Sequence, residues 1–146
     1  MTEQLSPLAL QALAVVEESG AIINANHAHP HTIRHKGRID LVTETDIAVE
    51  AFLKERLATL APQAGFLAEE SAEDLSLPDT CWIIDPVDGT TNFAHGLPLT
   101  VTSVAYRLNG EIVLGIVNAP LLRECFIAEK GKGAWRNGER ISVSSV

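Results

Sequence analysis

The residues best suited to chemistry stand in one short run, Asp85-Pro86-Val87-Asp88-Gly89-Thr90. The apolar residues 81–84 in front of it are typical of a buried strand, which delivers Asp85 to its carboxyl end. Pro86 is expected to stop the strand there and to hold Asp85 extended. Because Asp88 follows three residues later, a tight turn can aim both carboxylates at one point.

The residues after the second aspartate suit an anion. Gly89 lets the backbone approach a ligand closely, and Thr90 and Thr91 can begin a helical turn whose free N–H groups bind an anion. Two carboxylates beside such a site repel each other unless a cation relieves the repulsion. Oxygen ligands select Mg²⁺, Mn²⁺ or Ca²⁺ over Zn²⁺, so the run predicts a divalent cation beside a phosphate.

Other interpretations of the run are weaker. Asp-Pro and Asp-Gly are both turn dipeptides, but the strand in front and the threonines behind favour a site over a surface turn. Phosphatases of the haloacid-dehalogenase type use Asp-x-Asp-Gly-Thr, whereas the spacing here is one residue longer. In an extended chain that insertion turns a side chain to the opposite face. An EF-hand is excluded because its Asp-x-Asp-x-Asp-Gly loop is missing.

Composition limits the class of protein. The chain has 146 residues, 46% of them apolar, and a net charge of −8, which fits one soluble domain, 1–146, and argues against nucleic-acid or anionic-membrane binding. Cys81 and Cys125 are expected to be buried free thiols in a reducing compartment. No basic amino-terminal region and no apolar run of membrane-spanning length is evident, so a cytoplasmic location is expected.

Two helices are predicted ahead of the chemical run. The first covers 6–27, with Ser6 as N-cap and Pro7 at the first helical position. The polar stretch 27–38 is expected to be a mobile loop, and its histidines at 27, 29, 31 and 35 lack the fixed geometry of a metal site. The second helix covers 43–60 and is ended by Pro62.

A meander of strands is predicted after the run. Candidate strands cover 100–108, 111–117, 123–129, 134–135 and 141–143, joined in part by hairpin turns at Asn109-Gly110 and Asn137-Gly138. The fold class is therefore α+β, with two helices packed on one face of a largely antiparallel sheet. Trp82 and Trp135 are expected to pack in the core or a hairpin, and His95 to be a turn residue.

With these segments in place, the chain resembles the inositol monophosphatase family of lithium-sensitive, Mg²⁺-dependent phosphatases. The central run is similar to that family's Asp-Pro-Ile/Val-Asp-Gly-Thr-Thr-Asn-Phe signature. Three further segments fit in order: Asp40-Leu41-Val42-Thr43-Glu44-Thr45-Asp46, Phe66-Leu67-Ala68-Glu69-Glu70-Ser71 and Gly131-Lys132-Gly133-Ala134-Trp135-Arg136-Asn137-Gly138.

The resemblance implies a role for each matching residue. The implied metal ligands are the side chains of Glu69, Asp85 and Asp88 and the carbonyl of Val87. The implied catalytic residues are Thr90, which orients a water, Asp46, which accepts a hydrogen bond from Thr90, and Glu69. The backbone of Gly89, Thr90 and Thr91 is expected to hold the phosphate, with Glu70 in the outer shell and Lys36 on a loop near the site.

Some of these residues have plainer explanations. Glu69 and Glu70 read alone are an ordinary solvated acidic pair, and Lys36 reads equally well as a solvated loop lysine. Asp46 also suits the first turn of a helix, where the helix dipole favours an acid.

The resemblance also implies cofactors and partners. Mg²⁺ is expected, with Mn²⁺ or Ca²⁺ able to substitute and Li⁺ inhibiting. The substrate is expected to be a small phosphorylated alcohol, most simply inositol monophosphate. A homodimer is expected, without nucleic-acid or membrane partners.

Two departures from the family pattern matter. Ala68 stands where the family has Gly. The larger departure is that family members are nearly twice as long, and no Trp-Asp pair is present to supply a further metal-binding Asp. The chain is therefore interpreted as the amino-terminal half, with weak or absent turnover alone and an uncovered apolar sheet surface that favours self-association.

Two alternatives stay open. One is a non-catalytic domain that binds a metal or a partner. The other is a sibling phosphatase acting on nucleotide or sugar bisphosphates.

Overall fold

A computed structural model of the chain describes residues 4–27, 35–68 and 78–145, with the backbone alone at 35–41. Within these ranges the helices are α1 (Pro7–His27), α2 (His35–Leu60) and α3 (Thr90–Ala94), with a 3-10 turn at Pro120–Leu122. The strands are β1 (Gly65–Ala68), β2 (Cys81–Asp88), β3 (Val101–Leu108), β4 (Glu111–Ala119), β5 (Glu124–Glu129), β6 (Gly133–Arg136) and β7 (Glu139–Ile141).

The seven strands form one sheet in chain order, β1 to β7. The β1–β2 pair is parallel and every other pair is antiparallel, so the predicted α+β class is confirmed. The β3–β4 turn holds Asn109 and Gly110 at φ 51° and 84°. The β6–β7 turn holds Asn137 and Gly138 at φ 50° and 83°. Both hairpins were predicted, since Asn and Gly tolerate positive φ.

One face of the sheet packs against α1 and α2. Buried and partly exposed side chains alternate along β3 and β4, and the buried set pairs across the strands as Val104–Ile116 and Tyr106–Leu114. Trp82 and Trp135 are 0% and 1% exposed, which confirms their predicted packing in the interior. This alternation is the pattern of a sheet with a single core face.

The first helix begins where the sequence indicated. The Ala9 amide donates to Ser6 Oγ at 3.1 Å, the hydrogen bond of an N-cap. The Ser6 hydroxyl in turn donates to Glu129 Oε2 on β5 at 2.6 Å. Contrary to expectation, α1 is long and apolar enough to cross a membrane on length and composition alone. Its buried residues, however, join the protein core.

The second helix begins earlier than predicted. Its first residue is His35, so Lys36, Gly37 and Arg38 are helical, which corrects the prediction of a loop as far as residue 38. The reason is that apolar residues at helical spacing extend upstream through Val42 and Ile39, a pattern the polar composition of the segment obscured. His27 is the last residue of α1, as the predicted helix 6–27 had it. His29 and His31 lie outside the described residues.

The two cysteines are buried and unbonded, as predicted. Burial raises the pKa of the Cys125 thiol to about 12, and the nearby Glu17 carboxylate adds to the shift. Burial also raises the pKa of the Cys81 thiol, with an opposing effect from Arg107. Both groups are therefore protonated near neutral pH and are poor nucleophiles.

Candidate metal and phosphate site

The β2 strand does not stop at Asp85, as the sequence predicted, but continues through Pro86 to Asp88. Its pairing with β3 passes from Asp85–Ser103 directly to Asp88–Val101. Two β2 residues, Pro86 and Val87, therefore face the single β3 residue between those pairs, which is the definition of a β-bulge. A proline is tolerated at a bulge because its missing N–H is not needed for the ladder.

The bulge decides where the two aspartates lie. Residues three apart in a regular strand point to opposite faces of the sheet. Here Asp85 and Asp88 are opposite Ser103 and Val101, which are two apart and so share a face. Since directly paired residues lie on the same side, both aspartates lie on the sheet face opposite the helices. The half-buried Asp85 and the exposed Asp88 thus share one face of the sheet.

The turn after Asp88 is built around Gly89. Gly89 caps α3 with φ 92° and ψ 39°, the left-handed region. A Cβ at this position would lie 2.6 Å from the Leu99 carbonyl oxygen, so the position has no room for a side chain. The α3 helix then starts at Thr90, as predicted. Its first N–H groups lie at the end of the helix that favours negative charge.

Neighbouring residues fix α3 against the rest of the chain. Phe93 is buried in the core, and its ring lies 6.1 Å from that of His27 at the end of α1. The Asn92 amide donates to the Leu99 carbonyl at 2.9 Å. His95 is the C-cap residue of α3, which fits its predicted role in a turn.

The α2 helix supplies Asp46, which is 8% exposed. Asp46 lines a cavity of about 270 Å³ together with Thr43, Ile47 and Glu50. Beside it, the fully buried Thr45 accepts a hydrogen bond from Asn26 of α1 at 2.6 Å. Since α2 packs against both β2 and α3, the fold brings the helix that carries Asp46 to the end of β2.

The predicted site residues differ in how much of each the structure describes. Glu69 and Glu70 lie outside the described residues, and Lys36 is described only as backbone in the first turn of α2. Val87, by contrast, is buried within the bulge at 3% exposure. Across the described ranges, His, Cys, Asp and Glu side chains form no group of three or more that could hold a metal. Asp85 and Asp88 carry carboxylate oxygens of the kind that Mg²⁺ prefers, and two such residues are fewer than Mg²⁺ needs.

Two residues with structural roles in this turn were missed by sequence reasoning. Asn92 stood in a quoted motif, but no role was assigned to it. Thr102 carries no local signal, because the acceptor of its hydroxyl is the Pro86 carbonyl sixteen positions earlier in the chain, at 2.8 Å. Such a contact is visible only once the β2–β3 register is known.

The comparisons with known proteins agree with the fold and the motif. The model of the inositol monophosphatase family matches residues 4–146, and the chain belongs to that family. It is 48% identical to an inositol monophosphatase of Dictyostelium discoideum, over 92% of this chain and 51% of that protein. It is 47% identical to a fructose-1,6-bisphosphatase/inositol-1-monophosphatase of Thermotoga maritima, over 72% of this chain and 40% of that protein.

Solved structures show the same fold. The extragenic suppressor protein suhB of Bartonella henselae superimposes with a TM-score of 0.81 at 33% identity, over 97% of this chain and 55% of that chain. An inositol monophosphatase from Anabaena (Nostoc) sp. PCC 7120 gives 0.79 at 32% identity, over 94% of this chain and 50% of that chain. The chain thus spans about half the length of these relatives.

Proposed function

We propose that the chain forms the metal- and phosphate-binding half of a Mg²⁺-dependent phosphatase that hydrolyses small phosphate monoesters, inositol monophosphate foremost. The observation that carries the proposal is the β2 bulge, which brings Asp85 and Asp88 to one face beside the left-handed turn at Gly89. Family membership and the names of the relatives supply the reaction class.

The proposed ligand set is Asp85, Asp88, the Val87 carbonyl and Glu69. Ala68, the residue before Glu69, pairs with Ile84, the residue before Asp85, which supports including Glu69. When bound, divalent cations would neutralise the phosphoryl oxygens and favour ionisation of an attacking water.

The remaining roles belong to the chain's own groups. The Gly89, Thr90 and Thr91 amides would hold the phosphate, as backbone N–H groups at a helix start do. The Thr90 hydroxyl would orient the water and donate a hydrogen bond to Asp46, whose burial shields that interaction from solvent. Glu70 and Lys36 are proposed to assist from outside the ligand shell.

The proposal extends to setting and partners. The family resemblance supports a homodimer with a small phosphorylated alcohol as substrate and inhibition by Li⁺, and a cytoplasmic location stays a prediction from the sequence. The net charge of −8 supports the absence of nucleic-acid partners.

Direct binding provides the first test. Mg²⁺ and Mn²⁺ are titrated calorimetrically into the chain and into Asp85→Asn and Asp88→Asn, with Asp79→Asn as a matched control at an exposed acid before β2. We expect each site variant to bind at least about tenfold more weakly and the control to be unchanged. If all four proteins bind the metal ions with the same affinity, Asp85 and Asp88 are not metal ligands.

Hydrolysis provides the second test, on the longest form of the protein that the cell makes. Inositol 1-phosphate and p-nitrophenyl phosphate are offered with Mg²⁺, and fructose 1,6-bisphosphate is added because the Thermotoga maritima relative is named for both activities. Turnover lost in Asp88→Asn is expected. Metal binding without turnover of any substrate would favour a non-catalytic metal-binding domain, an alternative suggested by the two-acid set among the described residues.

A further inference from the structure

The bulge in β2 creates a problem at Pro86. A bulge leaves backbone groups outside the regular ladder, and Pro86 is buried. A buried carbonyl is costly to leave without a hydrogen-bond partner. The hydroxyl of Thr102, which is 0% exposed, donates to this carbonyl at 2.8 Å. Thr102 is also the single β3 residue that faces the two bulged residues, so its hydroxyl lies directly across from the carbonyl that it binds.

The position of this hydrogen bond connects it to the metal site. Pro86 lies between Asp85 and Asp88, so fixing the Pro86 carbonyl fixes the backbone that sets the distance between their carboxylates. Thr102 is itself held from the other side. Its β4 partner is Asn118, which is buried and donates to the Val16 carbonyl of α1 at 3.4 Å. The bulge is thereby anchored to the helical layer.

We propose that Thr102 is a positioning residue of the metal site, whose hydroxyl holds the bulged Asp85–Asp88 turn in its metal-binding shape. It touches neither substrate nor metal and acts through the Pro86 carbonyl. The inference rests on the proposed function and adds a residue to which sequence reasoning assigned no role.

The test compares three substitutions. Thr102→Val keeps the shape of the side chain and removes the hydroxyl, while Thr102→Ser keeps the hydroxyl. Thr100→Val is the matched control, because Thr100 is equally buried and its hydroxyl has no hydrogen-bond partner in the described part of the chain. Two quantities are measured for each protein: the Mn²⁺ dissociation constant by calorimetry, and the rise in melting temperature that Mn²⁺ produces.

We expect Thr102→Val to raise the Mn²⁺ dissociation constant about fivefold, the effect of losing one hydrogen bond. Thr102→Ser and Thr100→Val should have Mn²⁺ dissociation constants close to that of the chain without substitutions. The Mn²⁺-induced rise in melting temperature should be smaller for Thr102→Val than for Thr100→Val, and this readout holds even when Thr102→Val is less stable.

The outcomes separate this inference from the proposed function. If Thr102→Val lowers the melting temperature but binds Mn²⁺ as tightly as Thr100→Val, its role is structural only and the inference is overturned alone. If the unchanged chain binds no Mn²⁺, the proposed metal site and this inference are overturned together.

Discussion

At the scale of single residues, Gly89 is a position with no room for a side chain. Its φ of 92° lies in the left-handed region, and a Cβ would meet the Leu99 carbonyl oxygen at 2.6 Å, a contact with rigid backbone. We expect Gly89→Ala to lower the free energy of unfolding by more than about 2 kcal/mol. It should also abolish Mn²⁺ binding, because the turn after Asp88 must move. Chemical denaturation and calorimetry measure the two effects.

Gly138 offers a matched control for that prediction. Its φ of 83° carries the same left-handed penalty, but a Cβ there meets nothing within 4 Å. Gly138→Ala should therefore cost only about 1 kcal/mol and leave Mn²⁺ binding intact. Equal losses of stability in the two variants would show that the close approach at Gly89 has no energetic weight.

Residues of the proposed site could be nominated from the sequence only where each carries its own signal. Asp85, Asp88, Gly89 and Thr90 stand in one run and were nominated from residue type and spacing. Because the chain is bulged between Asp85 and Asp88 and not regularly extended, side-chain alternation does not distinguish this run from a haloacid-dehalogenase site, and the family match does. The bulge depends on cross-strand pairing with β3, which no local pattern encodes.

At the scale of secondary-structure elements, the boundaries with a local signal were predicted well, among them the end of α2 at Leu60 before Pro62, whereas the start of α2 and the end of β2 were not. The start of α1 was predicted because Ser6 and Pro7 are strong signals for a helix start. The two hairpins were predicted because Asn-Gly is a strong signal for a hairpin turn. The start of α2 was missed because His35 follows a polar stretch without a distinct cap residue. The end of β2 was missed because a proline ends a strand only where the ladder needs a backbone N–H donor. At the bulge the ladder needs no donor from Pro86, so the strand continues.

Ser6 allows the contribution of a cap to be measured. Its hydroxyl oxygen accepts from the Ala9 amide and its hydrogen goes to Glu129 on β5, so it joins the start of α1 to the sheet. Ser6→Ala should lower the free energy of unfolding by about 1–2 kcal/mol, because both bonds are lost. Urea denaturation checks this, and Ser142→Ala, at an exposed position after β7, should change it by less than about 0.5 kcal/mol. If Ser6→Ala lowers the free energy of unfolding no more than Ser142→Ala does, neither hydrogen bond contributes net stability.

At the scale of the whole molecule, the sheet has one face packed by helices and one that remains partly exposed. A cross-strand row on the second face consists of small and aliphatic residues: Ile83, Ala105, Gly115, Ala128, Ala134 and Ile141. Four residues of this row, Gly115, Ala128, Ala134 and Ile141, line an apolar groove of about 250 Å³ together with Val117 and Phe126. An apolar groove of this kind is typical of an interaction surface, and it supports the proposed self-association, with a second copy of the chain as the occupant.

Gly115 is the place to test self-association, because a Cβ there meets nothing within 4 Å and a side chain fits without disturbing the strand. Gly115→Glu would place a charge in the groove, and an unpaired charge is costly to bury between two copies. We expect its dimer dissociation constant, measured by sedimentation velocity over a concentration series, to rise at least about tenfold at an unchanged melting temperature. Ala51→Glu puts the same charge on an exposed position of α2 and should leave the association unchanged. If the Gly115→Glu variant dimerises as tightly as the chain without substitutions, the groove is not the interface. If the chain without substitutions is monomeric at every concentration, the proposed self-association is wrong.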